Sequence, residues 1–279
     1  MNSKLKDMDY GKSRVRVAKI HRHADRHEFS DLTVDIRLQG AFEECYLSGD
    51  NRMVVATDTM KNTVYALAAS HNLNPVEPFA RALAEHFLSN NQHVTAAKVD
   101  VIEHRWNRLD PHAFEQGQSR RLACATVTRE GTGSRDGVVM HAGLDHLVLL
   151  KTTKSSFEGF LRDHYTTLHD TNDRILATSV RAYWRYAHAD VDFNASMERC
   201  RHTLIEIFCA HQSRAVQETL YAMGDAVLQT QPEISEIRLT LPNKHYLPVN
   251  LEPLGLQNRN EIFLPTDEPH GQIEACLTR

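Results

Sequence analysis

Four stretches of the chain set polar and charged groups among apolar neighbours where a plain strand or helix does not require them. They are YGKSRVRVAKI at residues 10–20, VATDTMKNTVYALA at 55–68, SSFEGFLRDHYTTLHDTNDRIL at 155–176 and LPNKHY at 241–246. Their lysine, threonine, arginine, asparagine and histidine are side chains suited to proton transfer and to hydrogen bonding of a small ligand. Each also has an ordinary structural reading. Lys12 can be a strand-end lysine, Thr57 a helix cap in TDTMK, His245 a buried hydrogen-bonded ring and Phe157 a core residue. Arg174, next to Asp173, can be a surface ion pair worth ~0–1 kcal/mol. Taken singly, the ordinary readings are the better ones, and only the co-occurrence of the four stretches argues for a site.

Other chemistries find little support. The 279 residues contain no Gly-x-Gly-x-x-Gly, no P-loop, no His-Glu-x-x-His and no Gly-x-Ser-x-Gly, which removes the motif basis for dinucleotide, nucleotide, zinc-protease and serine-hydrolase readings. His21, His23 and His27 could be imagined as metal ligands, but they fall at an expected hairpin end and read better as a solvated turn. Cys45, Cys124, Cys200, Cys209 and Cys276 are odd in number, widely spaced and without a CxxC pair, so they read as reduced thiols of a cytoplasmic protein. A net charge of −4 gives no basic field for nucleic acid, while a small anion needs only one local cation. No apolar run of about 18 residues suggests a membrane span, and the start lacks a signal-peptide pattern. The closing ACLTR is not a peroxisomal address of the Ser-Lys-Leu type.

The elements that must position these residues follow from periodicity. In DLTVDIRLQG, Leu32, Val34, Ile36 and Leu38 alternate with polar residues, the period of a strand with one wet face, and SRVRVAKIHRH reads likewise with Val15 and Val17. ADRHEFSD joins the two as a hairpin. KNTVYALAAS and residues 76–92 read as helices, the second with Phe79, Leu83 and Phe87 on one face. Strands follow around 93–108 and 120–130. After the Gly-rich REGTGSRDG the order recurs: strands in GVVMHAGLDHLVLLKTT and RILATSVRAYWRY, helices near 195–211 and 214–229, then ISEIRLTLP and the segment from NEIFLP to QIEACLTR. The chain thus reads as an α+β duplication in pattern, though not in residue identity, with units at 9–134 and 135–279. Each unit would be an antiparallel four-stranded sheet with two helices on one face. Open sheet edges make closure into an oligomeric barrel the expected protection.

With these segments in this order and spacing, together with Ala-Val-Gln at 215–217 and NEIFLPTDEPHGQIEACLTR at 260–279, the chain resembles the urate oxidase (uricase) family along nearly its whole length. The resemblance implies two tandem tunnelling-fold (T-fold) units, a homotetramer, and active sites shared between subunits. Lys12, Thr57 and Asp58 would come from one subunit, and Phe157, Arg174, Val216, Gln217, Asn243 and His245 from its neighbour. It further implies cofactor-free and metal-free oxidation of urate by dioxygen to 5-hydroxyisourate and hydrogen peroxide. Arg174 and Gln217 would pair with the purine edges and Phe157 would stack on the ring. The backbone near Asp58 and Val216 would complete the rim. Lys12, hydrogen-bonded to Thr57 with His245 nearby, would form a proton relay, and Asn243 with Thr57 would hold dioxygen. Asn172, where some relatives carry Trp, is the one noted departure near the site. The alternatives are a zinc-dependent pterin enzyme of the same fold, which would need a Cys/His ligand set, and a non-catalytic purine-binding oligomer.

Overall fold

The computed structural model describes residues 3–129 and 137–279; the expected unit boundary between residues 134 and 135 lies outside the described residues. The first half of the chain forms strands β1 (Tyr10–Arg22) and β2 (His27–Gly40). A short helix α1 (Glu43–Leu47), helices α2 (Thr57–Ser70) and α3 (Val76–Asn90), and strands β3 (Val94–Arg108) and β4 (Phe114–Thr128) follow. The second half gives β5 (Val138–Lys151), β6 (Leu176–Tyr186), α4 (Phe193–Ala210), α5 (Val216–Thr230), β7 (Ile234–Pro248), a 3-10 turn at Glu252–Leu254 and β8 (Phe263–Thr278). The described residues divide into two compact units. The first reaches Gly143 and includes Arg185–Ala195, and the second comprises Leu144–Trp184 and Ser196–Arg279. Within each half the strands neighbour one another in chain order, and the pairs β1–β2, β2–β3, β3–β4 and β7–β8 are antiparallel.

Alternation in β2 sends Leu32, Val34, Ile36 and Leu38 wholly into the core, each worth about 1.5–3 kcal/mol of transfer free energy. The opposite face is drier than its polar letters suggest, because Asp31 and Thr33 are buried as well. Asp31 is held by the Arg16 guanidinium and by Trp106 Nε1 at 3.2 Å, and Thr33 Oγ1 contacts His104 Nε2 at 2.9 Å. A satisfied polar network replaces water there. The α3 stripe is apolar as expected, with Phe79, Leu83 and Phe87 buried. Helix α2 starts at Thr57, four residues ahead of KNTVYALAAS, since Thr57, Asp58 and Thr59 extend the helix with an acidic residue in its first turn.

The duplication is detailed. At a spacing of 140 residues α3 corresponds to α5 and β3 to β7, and the two strands share one burial pattern over all 15 residues. Fastenings repeat too. Lys19 Nζ donates to the carbonyls of Ala68 and His71, both at 2.8 Å, closing the end of α2. Lys151 Nζ donates to Phe208 (3.3 Å) and His211 (2.6 Å) at the end of α4. Arg129 bonds the carbonyls of Leu88, Asn91 and Val94, and Arg279 those of Leu228, Gln231 and Ile234. Cations at helix C-termini satisfy orphan carbonyls and favour the helix dipole.

Candidate active site

In the first unit, Lys12 sits on β1 opposite Ile36, just before a bulge that offsets the pairing between Lys12 and Val15. Arg14, within the bulge, has φ +59 and donates its N–H to Asp35 at 3.0 Å. A bulge re-aims side chains relative to a regular strand, so Lys12 departs from the strand's alternation. Gly11 next to it is obligatory: a Cβ there would lie 1.7 Å from the Ile36 carbonyl oxygen. Tyr10 ties this strand to the entry of α2, its hydroxyl donating to Val55 O (3.1 Å) and accepting from Val55 N (2.7 Å). Thr57 is therefore carried on a segment fixed to the Lys12 strand. It is the first residue of α2 rather than its cap, because the N-cap is Ala56 without any side-chain cap bond. No N-cap side chain therefore satisfies the initial N–H groups of α2. Asp58 pairs with Lys61 and accepts from Asn62 at 3.0 Å. The Lys61 bond chiefly, with a contribution from the charge of Lys12, holds the Asp58 carboxyl below its usual range. Among the described residues no hydrogen bond joins Lys12 to Thr57 within the chain; Thr57 is exposed and Lys12 half-buried.

In the second unit, Phe157, Arg174, Asn243 and His245 line one cavity of about 490 Å³. Main-chain bonds stitch its walls together. Phe157 N donates to Thr171 O (2.7 Å), Thr171 N to Phe157 O (3.1 Å) and Arg174 N to Ser155 O (2.9 Å). Ser156 N donates to Ser213 O (2.8 Å) and Ser213 N to Lys154 O (3.0 Å), which ties the Phe157 segment to the turn that launches α5. Val216 and Gln217 are the first two residues of that helix, whose N-cap Ala215 also lacks a side-chain cap bond; Gln217 is exposed and Val216 buried. Glu218 ties the start of the helix to the preceding turn by accepting the Arg214 N–H (2.9 Å) and guanidinium, one residue ahead of the N-cap Ala215. Asn243 and His245 lie two residues apart on β7, the spacing that sends both side chains to one face of the strand, and the β7–β8 register shifts between them.

The Arg174 guanidinium stands over the Phe157 ring at 5.6 Å, close enough for the ring quadrupole to attract it. Its Nε is buried without a protein acceptor, and burial pulls its pKa down. A buried guanidinium donor beside an aromatic face and an amide is a receptor for a flat, anionic, hydrogen-bonding molecule. Phe160 stacks on Phe157 at 5.0 Å and 7°. Asn172 is exposed. Among the described residues, no group of three or more His, Cys, Asp or Glu side chains could hold a metal ion; His21 and His23 are exposed.

Sequence reading missed Tyr10, Glu218 and the Ser155–Ser213 bridge. Glu218 had a signal in its position three residues beyond Ala215. Tyr10 had none, because its partner lies 45 residues away.

A repeated unit of two strands, two helices and two strands, with a cavity in the second copy, defines a tandem T-fold protein. The uricase family profile matches residues 8–132 and 140–274. The chain is 44% identical to the uricase of Arthrobacter globiformis over 97% of this chain and 88% of that protein. It is 39% identical to the uricase of Danio rerio over 97% and 93%. The crystal structure of the Arthrobacter globiformis uricase superposes with a TM-score of 0.94 at 42% identity, covering 100% of this chain and 96% of that one. The chain belongs to the uricase family.

Proposed function

We propose that this chain is a urate oxidase that converts urate, dioxygen and water to 5-hydroxyisourate and hydrogen peroxide, without a cofactor, as a cytoplasmic homotetramer with active sites shared between subunits. The observation that carries the reading is the cavity of the second unit, where an unpartnered buried Arg174 Nε, the Phe157 ring, Asn243 and His245 converge. Arg174 and Gln217 hold two edges of the urate anion and Phe157 its face. A neighbouring subunit supplies Lys12, Thr57 and Asp58. The open N–H groups at the head of α2 receive polar atoms of the ligand, Lys12 takes a ring proton, and Thr57 with His245 passes it on. Doubly deprotonated urate is the electron donor. Dioxygen, held near Asn243 and Thr57, takes two electrons and two protons to leave as peroxide, while water supplies the hydroxyl added to the ring. The zinc-dependent alternative lacks a ligand set among the described residues. No helix of the described residues is long and apolar enough to cross a membrane.

The test is loss of urate's near-ultraviolet absorbance in metal-free buffer with oxygen uptake followed in parallel. Equimolar consumption of urate and oxygen, unaffected by chelators, is expected. Absence of turnover, or its loss on chelation, would remove the reading.

A further inference from the structure

The internal repeat carries the helix and strand positions of Gln217 and Asn243 twice, and the residues at and facing those positions differ between the copies. Gln217, second in α5, corresponds to Glu77, second in α3, and Asn243 on β7 corresponds to Glu103 on β3. Opposite Glu103 in the pairing stands Arg121 of β4; opposite Asn243 stands Gly271 of β8. In the first unit Arg121 is 5% exposed and Glu77 is fully buried. The guanidinium donates from Nε to Glu77 at 3.0 Å, from Nη2 to the same carboxylate at 2.8 Å, and from Nη1 to Asn194 Oδ1 at 2.6 Å. A planar group with donors on its rim thus presents two of them to Glu77, the counterpart of Gln217. Burial pushes the Glu77 and Glu103 carboxyls up, with Arg121 opposing it in both.

At Gly271 neither backbone nor crowding demands glycine. Its φ lies outside the left-handed region, and an added Cβ would meet only Ile273 Cδ1 at 3.6 Å and Asn243 Cβ at 3.7 Å, ordinary contacts. What the glycine contributes is the lack of a side chain beside Asn243. We propose that Gly271 is a specificity-determining residue that keeps the purine site of the second unit open, whereas its counterpart Arg121 plugs the equivalent site of the first unit with an internal ligand mimic. The inference rests on the reading of Gln217 and Asn243 as urate-binding residues.

Three variants test it: Gly271→Ala, Gly271→Arg, and Gly271→Arg combined with Gln217→Glu, which supplies the arginine with a carboxylate placed as Glu77 is. Xanthine, an unreactive purine, serves as the calorimetric probe, alongside steady-state kinetics on urate and thermal melting. Alanine should leave KM within about 3-fold, and arginine should weaken xanthine binding by at least about 100-fold. The double variant should melt higher than Gly271→Arg alone while still binding no xanthine. Xanthine binding by Gly271→Arg within about 3-fold of the parent would overturn the proposal. So would a double variant that melts no higher than the single one, or failure of both arginine-bearing chains to fold. Gln217→Ala and Asn243→Ala separate the two readings. If these bind xanthine as the parent does, the site assignment itself fails; if they lose binding while Gly271→Arg keeps it, only the role of Gly271 falls.

Discussion

Arg174 shows what a single side chain contributes to this site. A buried guanidinium nitrogen without an acceptor is costly in a folded protein unless a ligand satisfies it. Arg174→Ala should therefore weaken urate binding by about 10- to 100-fold, the range for losing a charge-assisted hydrogen bond, seen as a raised KM with a smaller change in kcat. Lys12→Ala should do the opposite. Loss of a proton acceptor is expected to lower kcat by about 10²- to 10⁴-fold at nearly constant KM, and an unaltered rate and pH profile would remove Lys12 from the relay. At this scale the sequence singled out Phe157, Arg174, Asn243 and His245, which line one cavity, together with Val216 and Gln217, which are not among its lining residues. Gly271 was not readable, since the meaning of a glycine depends on which residue faces it across the sheet and on what its counterpart carries there.

In the proposed site, the helices α2 and α5 contribute through their first turns. Both α2 and α5 follow an alanine N-cap with no side-chain bond, which leaves backbone donors open where a serine or aspartate would consume them. At α5 the ordering falls to Glu218, whose bonds from the Arg214 side chain and backbone pull its pKa from 4.5 down to about 2. A carboxyl lowered in the folded state stabilises the fold above its unfolded value, and the contribution disappears as pH falls through the folded one. Melting temperature should therefore drop as pH goes from about 4.5 toward 2, and Glu218→Gln should show a shallower drop across that window. Equal slopes in the two proteins would show that the Arg214–Glu218 clamp carries no such linkage. The strand and helix order was legible from hydrophobic period. The start of α2 was less so, because Thr57 and Asp58 resemble a cap and only the backbone angles of Ala56 show that the cap lies one residue earlier.

At the scale of the whole molecule, Lys12, Thr57 and Asp58 belong to one compact unit and the remaining residues of the proposed site to the other. On the proposed sharing of sites between subunits, Lys12→Ala and Arg174→Ala chains, each impaired alone, should regain activity when dissociated and reassembled together, because mixed oligomers would contain sites built from two intact contributions. Mixtures no more active than their parents would show that each chain builds its site alone. The repeat itself was legible as a pattern of elements. Its finer correspondence was not, because lysines and arginines that close helix ends are indistinguishable in sequence from solvated charges until their carbonyl partners are known. Those matching closures, Lys19 and Arg129 in one half and Lys151 and Arg279 in the other, give each copy its own set of locks. Fraying should accordingly stay local. Lys19→Met would accelerate amide hydrogen exchange at the tail of α2 while the tail of α4 keeps its protection, so that injury to one module leaves the other's architecture undisturbed.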